Sequence, residues 1–226
     1  MNAIFGDSRV GSLKRHRSKH SFKLEVEDIW AKGGAKLFDM QKFVSKHIVL
    51  HHPPITPGKT HYYIGVGICD LTTKLSLFEN NYQEVICVEN KTNSFSAELD
   101  ELNKKILREN GVPVFMTIYP MCLMTWNTLR LNQNKTSELN YRNEYSQMQR
   151  NLEQAVIECN NHIIETNKNN KVHTPMVHLN MLRNRKNKKY YLYKMLDDGC
   201  HPSESLIDEI IKSIDRAMAL NNNLHR

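Results

Sequence analysis

The sequence predicts an α/β domain of three layers, with helices on both faces of a mainly parallel sheet expected to hold five strands. Three observations carry that expectation. Short apolar runs alternate with stretches of helical periodicity along almost the whole chain. Glycine and polar residues follow directly on the apolar runs, at Gly6-Asp7-Ser8, at Gly33-Gly34 and from Gly67 to Asp70, which gathers them at the carboxyl ends of the strands. A length of 226 residues suits one domain with a substantial core, and neither a repeat nor a linker divides residues 1–226.

The elements follow in order. Residues 3–5 form a first strand that runs into a turn at Ser8, and residues 24–30 form a second, leading into Lys32-Gly33-Gly34-Ala35. Leu37, Met40, Phe43 and Val44 recur at helical spacing, and the prolines at 53, 54 and 57 then impose a loop. Residues 62–68 and 84–88 read as strands. Residues 96–110 read as a helix, with Leu99, Leu102, Ile106 and Leu107 on one face and Gly111 as its stop. A strand at 112–119 tolerates Pro113 at its start, a helix follows over about 137–166, and residues 176–182 look like a last strand. Residues 203–220 form a terminal helix capped by Ser203, and the asparagine-rich tail, residues 221–226, is expected to fray.

Charge is unevenly distributed. The chain carries a formal +7, and nine cations lie in two short segments: Lys14, Arg15, Arg17 and Lys19, then Arg183, Arg185, Lys186, Lys188 and Lys189. Without these nine the chain is slightly acidic. They read either as solvated loops or as a rim that attracts an anionic substrate or nucleic acid. No apolar run is long enough to cross a bilayer. Five scattered cysteines with no Cys-x-x-Cys pair favour reduced thiols and an intracellular setting, cytoplasmic or nuclear. No cofactor is expected, because the phosphate-loop and zinc-protease patterns are both incomplete; His173, His178, Cys200 and His201 lack metal-ligand spacing.

The chemistry concentrates at the two ends of the chain. Ser8 follows the first strand, and Asp198-Gly199-Cys200-His201 lies 190 residues later. A serine hydroxyl becomes a useful nucleophile when an imidazole takes its proton, and the imidazole works best when a carboxylate orients it. Ser8, His201 and Asp198 are therefore the candidate catalytic residues.

Gly6-Asp7-Ser8, Gly33-Gly34-Ala35, Gly65-Val66-Gly67-Ile68-Cys69-Asp70 and Asp198-Gly199-Cys200-His201, in this order, resemble the sequence blocks of the GDSL or SGNH hydrolases. The resemblance implies a flavodoxin-like α/β/α fold and a serine esterase on a short acyl or acetyl ester. It further implies an oxyanion hole built from the backbone N–H groups of Ser8 and Gly34. One position departs from the pattern: Cys69 stands where those enzymes carry an asparagine whose amide donates to the oxyanion. A thiol is a weak donor, so Asn127, Asn180 and Thr72 are candidates to fill in, and Asp7 and Asp70 are assigned to scaffolding. Esterase-like domains of this kind also occur in the open reading frames of some retroelements, and a start so close to the first strand fits a segment of a longer polyprotein. The rival reading is a weak or inactive domain that binds nucleic acid or a protein through Lys14, Arg15, Arg17, Lys19, Arg183, Arg185 and Lys186.

Overall fold

The structure, a computed structural model, describes residues 2–16, 29–51, 60–76, 83–88, 90–134, 143–185 and 188–224. Strands β1 (Asn2–Gly6), β2 (Ile29–Ala31), β3 (His61–Gly65) and β6 (Val112–Phe115) form a wholly parallel sheet in the order β2-β1-β3-β6. The chain leaves β1 toward one neighbour and returns to the other side for β3, which makes the carboxyl end of β1 a topological switch point. That end is followed immediately by helix α1 (Ser8–His16).

Alternation along the strands builds two cores. Ala3, Phe5, Tyr62, Ile64 and Phe115 join a cluster with residues of α2 (Leu37–His51), α4 (Thr92–Arg108) and α6 (Tyr145–Asn169). Ile4, Ile29, Tyr63, Val112 and Val114 join a second cluster with α1 and the terminal helix α7 (Glu204–Leu224). The three layers expected from the sequence are thus present. Between these elements stand the short helix α3 (Ile68–Leu71), the hairpin of β4 (Thr72–Ser76) with β5 (Gln83–Cys87), helix α5 (Leu123–Asn134), and the hairpin of β7 (Leu182–Arg185) with β8 (Lys188–Tyr191).

Several expectations are corrected. Four strands rather than five make the parallel sheet among the described residues. The strand expected near residue 84 is β5, which pairs antiparallel with β4 outside the sheet. The strand expected at 176–182 is a 3₁₀ turn, Val177–Asn180, whose hydrogen bonds toward β6 are made to a single residue past its end rather than along a ladder: the Pro175 carbonyl accepts from Thr117 N–H at 3.1 Å, and His178 N–H donates to Thr117 Oγ1 at 3.2 Å. At the free edge of β6, Asn167 takes the place of another strand. Its amide accepts from Phe115 N–H at 2.9 Å and donates to Phe115 C=O at 2.7 Å, satisfying both backbone groups at once. Helix α5 was not anticipated, since its buried face includes the polar Asn127. The end of α4 takes its left-handed residue at Asn110 (φ 59°), one position before the expected Gly111. Most of the second expected strand and the proline loop lie outside the described residues.

The tail also differs. Ser203 caps α7 as expected, its Oγ accepting from Leu206 N–H at 3.4 Å, but the helix runs on to Leu224. Asn221 is fully buried and uses its amide as Asn167 does, accepting from His173 N–H at 2.6 Å and donating to His173 C=O and to Tyr63 Oη, each at 3.2 Å. Burial of a residue with bonds on both sides of its amide prevents fraying there. Asn221→Ala would strand the His173 backbone, and a loss of about 1–3 kcal/mol in urea unfolding is expected, whereas Asn222→Ala on the exposed face should stay within about 0.5 kcal/mol.

Candidate active site

Ser8 is the first residue of α1, and Asp7 starts that helix. The Asp7 Oδ1 accepts from Arg9 N–H at 2.9 Å while its carbonyl accepts from Gly11 N–H at 3.1 Å, an N-cap worth about 1 kcal/mol. Burial raises the Asp7 carboxyl above its ordinary range, against the opposing pull of Arg9. Asp7 N–H donates to Gly65 C=O at 3.3 Å and Lys32 N–H to Gly6 C=O at 3.0 Å, so the ends of β1, β2 and β3 are joined where Ser8 leaves the sheet.

The Asp198 to His201 loop is closed on itself. Leu196 and Pro202 form an antiparallel bridge, Asp197 N–H donates to His201 C=O at 2.9 Å, and Ser203 N–H donates to Met195 C=O at 2.9 Å. Asp198 Oδ1 accepts from the N–H groups of Cys200 at 2.9 Å and His201 at 2.7 Å, the side-chain turn that aspartate favours. Gly199 takes φ +82°, and its carbonyl accepts from Cys122 N–H at 2.7 Å; a Cβ there would lie 2.8 Å from Trp126 N. Only glycine seats this loop on the first turn of α5.

The structure brings the two ends of the chain together. His201 Nε2 lies 2.9 Å from Ser8 Oγ, 193 residues away in sequence, and Nδ1 lies 2.7 Å from Asp198 Oδ2. Burial pushes the Asp198 carboxyl up, but the His201 ring and the two backbone N–H groups outweigh it and hold the group down to about 2. At neutral pH Asp198 is ionised and can only accept, so Nδ1 donates to it. Nε2 of the neutral imidazole is then the acceptor for the Ser8 hydroxyl. Such a line can draw a proton from serine onto imidazole and stabilise the resulting cation. The Trp126 ring supports the imidazole from α5, with centroids 5.8 Å apart.

The other predicted residues sort themselves by position. Gly34 sits at φ +71° in the exposed turn after β2, closed by Ala35 N–H donating to Lys32 C=O at 3.2 Å. Cys69 lies in α3, directly after β3; burial, and next the charge of Asp7, push its thiol up to about 12, so it carries its proton at neutral pH. The proposed substitutes for the missing amide are engaged elsewhere. Asn127 Nδ2 donates to Val85 C=O at 2.8 Å and Tyr145 Oη at 2.9 Å, Thr72 Oγ1 donates to Ile68 C=O at 2.8 Å, and Asn180 pairs with Ser213. Lys14 and Arg15 are exposed on α1, and Arg183 is exposed on β7, where it donates to the Asn180 and Leu182 carbonyls at 2.9 Å each. Arg185 belongs to β7, whereas Arg17, Lys19 and Lys186 lie outside the described residues.

Two contributors escaped the sequence reading. Trp126 is one, in a helix that was not anticipated. Arg9 is the other: it is only 8% exposed and its guanidinium reaches toward the base loop, yet its adjacency to Ser8 was the sole signal. Beside it lies a small cleft of about 40 Å³, lined by Asp7, Arg9 and Tyr119 together with apolar side chains that include Val10, Leu13 and Ile118. No described helix is long and apolar enough to cross a membrane, and all five cysteines are free.

No protein-family model matches the chain, and no curated protein matches it. Solved structures do match, at low identity. A GDSL-like lipase from Bacteroides thetaiotaomicron is 14% identical with a TM-score of 0.64, over 96% of this chain and 87% of that one. The acetyl xylan esterase AlAXEase is 12% identical with a TM-score of 0.56, over 96% and 99%. The OSK domain of Drosophila Oskar is 10% identical with a TM-score of 0.58, over 95% and 86%. The chain has the fold of the GDSL-like and SGNH hydrolases.

Asp70 stands beside Cys69 and couples this end of the sheet to pH. Its Oδ1 accepts from Leu37 N–H at 3.2 Å, at the start of α2, while its buried Oδ2 has no hydrogen-bond partner among the described residues. Burial pushes the carboxyl up to about 7, although the Leu37 N–H opposes the shift. The folded state therefore binds this proton more tightly than the unfolded chain does, and the stability it contributes is lost as pH rises from about 4 through about 7. Asp70→Asn keeps an acceptor for Leu37 and removes the titration. Thermal unfolding at pH 5 and pH 8 should show a smaller drop for this variant than for the wild type; parallel drops would contradict the assignment.

Proposed function

On the fold shared with GDSL-like lipases and SGNH hydrolases, we propose that this chain is a serine esterase acting on a carboxylic ester with a short acyl or acetyl group. The observation that carries the reading is the hydrogen-bonded line from Ser8 through His201 to Asp198 at the switch point of the sheet. Ser8 Oγ attacks the ester carbonyl as His201 Nε2 takes its proton, and Asp198 stabilises the imidazolium. The tetrahedral intermediate collapses, and His201 returns the proton to the leaving alkoxide. Water then attacks the acyl-enzyme with His201 again as base, releasing the acid and restoring Ser8.

The oxyanion is received by the N–H of Ser8, at the positive end of α1, and by that of Gly34. Cys69 adds at most a weak S–H donor. Loss of one full donor commonly costs about 10²–10³ in turnover, so a slow enzyme is the outcome consistent with this chemistry. A second reading follows from the same residue together with the exposed Lys14, Arg15 and Arg183: a weak or inactive domain whose basic surface takes nucleic acid or an acidic protein.

The two readings part under a fluorophosphonate probe. Labelling at Ser8 that disappears in Ser8→Ala, with parallel loss of p-nitrophenyl acetate hydrolysis, is expected for the esterase. Folded wild-type protein that neither labels nor turns over, but binds RNA with a steep salt dependence, would overturn it. A separate measurement addresses the hole: Cys69→Asn should raise kcat by about tenfold or more, with KM little changed.

A further inference from the structure

We propose that Arg9 is a positioning residue, whose buried guanidinium holds the base loop at its working distance from the nucleophile helix. The inference rests on the esterase reading for the roles of Ser8 and His201, and on geometry for everything else.

Arg9 is the residue next to Ser8 on the first turn of α1, and its own N–H is bound by the Asp7 carboxyl at 2.9 Å. Its backbone is held by the same Asp7 cap that starts the helix at Ser8. From there the side chain crosses to two other parts of the site. Nη1 donates to the Tyr119 carbonyl at 2.6 Å, and the guanidinium carbon lies 4.1 Å from the centroid of the Tyr119 ring. Nη2 reaches Cys200 Sγ at 3.8 Å, one residue before His201. One side chain thus ties the nucleophile helix, the segment that follows β6 and the base loop to one another.

The cost of this arrangement argues for a role. A buried guanidinium gives up several kcal/mol of hydration, and apolar replacements of similar volume are commonly neutral or stabilising in a core. Here the polar contacts that offset burial all lie on segments bearing the site. The Tyr119 segment is itself continuous with Cys122, just before α5, whose N–H donates to the Gly199 carbonyl at 2.7 Å, so Arg9 and this segment both hold the base loop. His201 sits between Asp198 and Ser8 with heavy-atom separations of 2.7 and 2.9 Å, and a displacement of about 1 Å in such an arrangement can cost about 10²-fold in rate. A lysine has one ammonium and no fork, so it can replace one of the two Arg9 contacts at a time.

The test uses the full chain carrying Arg9→Met or Arg9→Lys, with Ile214→Ala in the second core as a control for lost packing. Hydrolysis of p-nitrophenyl acetate and fluorophosphonate labelling of Ser8 are measured on protein shown to be folded by circular dichroism, alongside Tm. Arg9→Met is expected to lower kcat by about 10- to 100-fold, with KM changed less than about twofold and labelling slowed in parallel. Arg9→Lys recovers part of the rate, and Ile214→Ala lowers Tm without moving kcat. Folded Arg9→Met with wild-type kcat and labelling would overturn the proposal. Should the wild type itself neither label nor turn over, the esterase reading fails separately. Arg9 is then judged by the His201 imidazole resonances in nitrogen-15 NMR. Loss or displacement of the Nδ1–H signal in Arg9→Met supports the positioning role, and identical signals in the two proteins refute it.

Discussion

An asparagine side chain that accepts from the N–H and donates to the C=O of one residue can stand in for a neighbouring β-strand, and the architecture around β6 depends on this pairing. Among the described residues, strand β6 has β3 on one side only. On its other side Asn167 clips Phe115, and seven residues earlier on α6 Asn160 clips Ile118 at 2.6 and 2.8 Å. Two turns of helix separate the two asparagines, so they lie along one face of α6 and meet the chain as it leaves the sheet. The same device recurs at Val85 with Asn127 and at His173 with Asn221. Because each amide is buried, its two bonds are made away from competing water, and leaving either backbone group unpaired would be costly.

The consequence reaches the site through short covalent steps. Ile118 is followed by Tyr119, whose carbonyl and ring receive Arg9, and then by Cys122, which holds Gly199. A loop without regular structure is thereby made rigid enough to support the segment bearing Asp198 and His201. On the opposite side the nucleophile is fixed by Asp7 at the start of α1, at the point where three parallel strands end. The geometry between Ser8 and His201 is thus set by two frames, one built from backbone pairing in the sheet and one from side-chain amides.

Burial opposes the charged forms of Asp198, Asp70 and Cys69, and what outweighs or fails to outweigh it differs from one to the next. Asp198 has the His201 ring and two N–H donors and stays ionised. Asp70 has a single N–H donor, and its carboxyl moves to near neutrality. Cys69 has nothing sufficient, and its thiol keeps its proton. The two carboxyls thus differ through hydrogen bonding, one an ionised acceptor for the imidazole and the other a pH-sensitive brace for α2, while Cys69 is an inert thiol because burial adds to an already high ordinary value.

Much of this was legible in the residues because it depends on local order. The alternation of apolar runs and helical stripes exposes the layers, since a parallel sheet buries both faces and its strands must be apolar throughout. Ser8, Asp198 and His201 stood out by residue type, as a nucleophile, an orienter and a base, and Gly34 stood out only through the family resemblance. Strand membership was not readable in the same way: residues near 84 have a strand pattern, but whether they join the parallel sheet or form a hairpin with β4 outside it is settled by packing against α5 and α6. Nor were the asparagine clips, for an asparagine in a helix or a tail looks solvent-facing until a strand edge is brought against it. Arg9 belongs with them. Which residues could do chemistry follows from their types and spacing along the chain; which ones meet, and which polar groups are bound well enough to be buried, follows from packing, because hydrogen bonds between residues 42 to 193 positions apart leave no trace in local pattern.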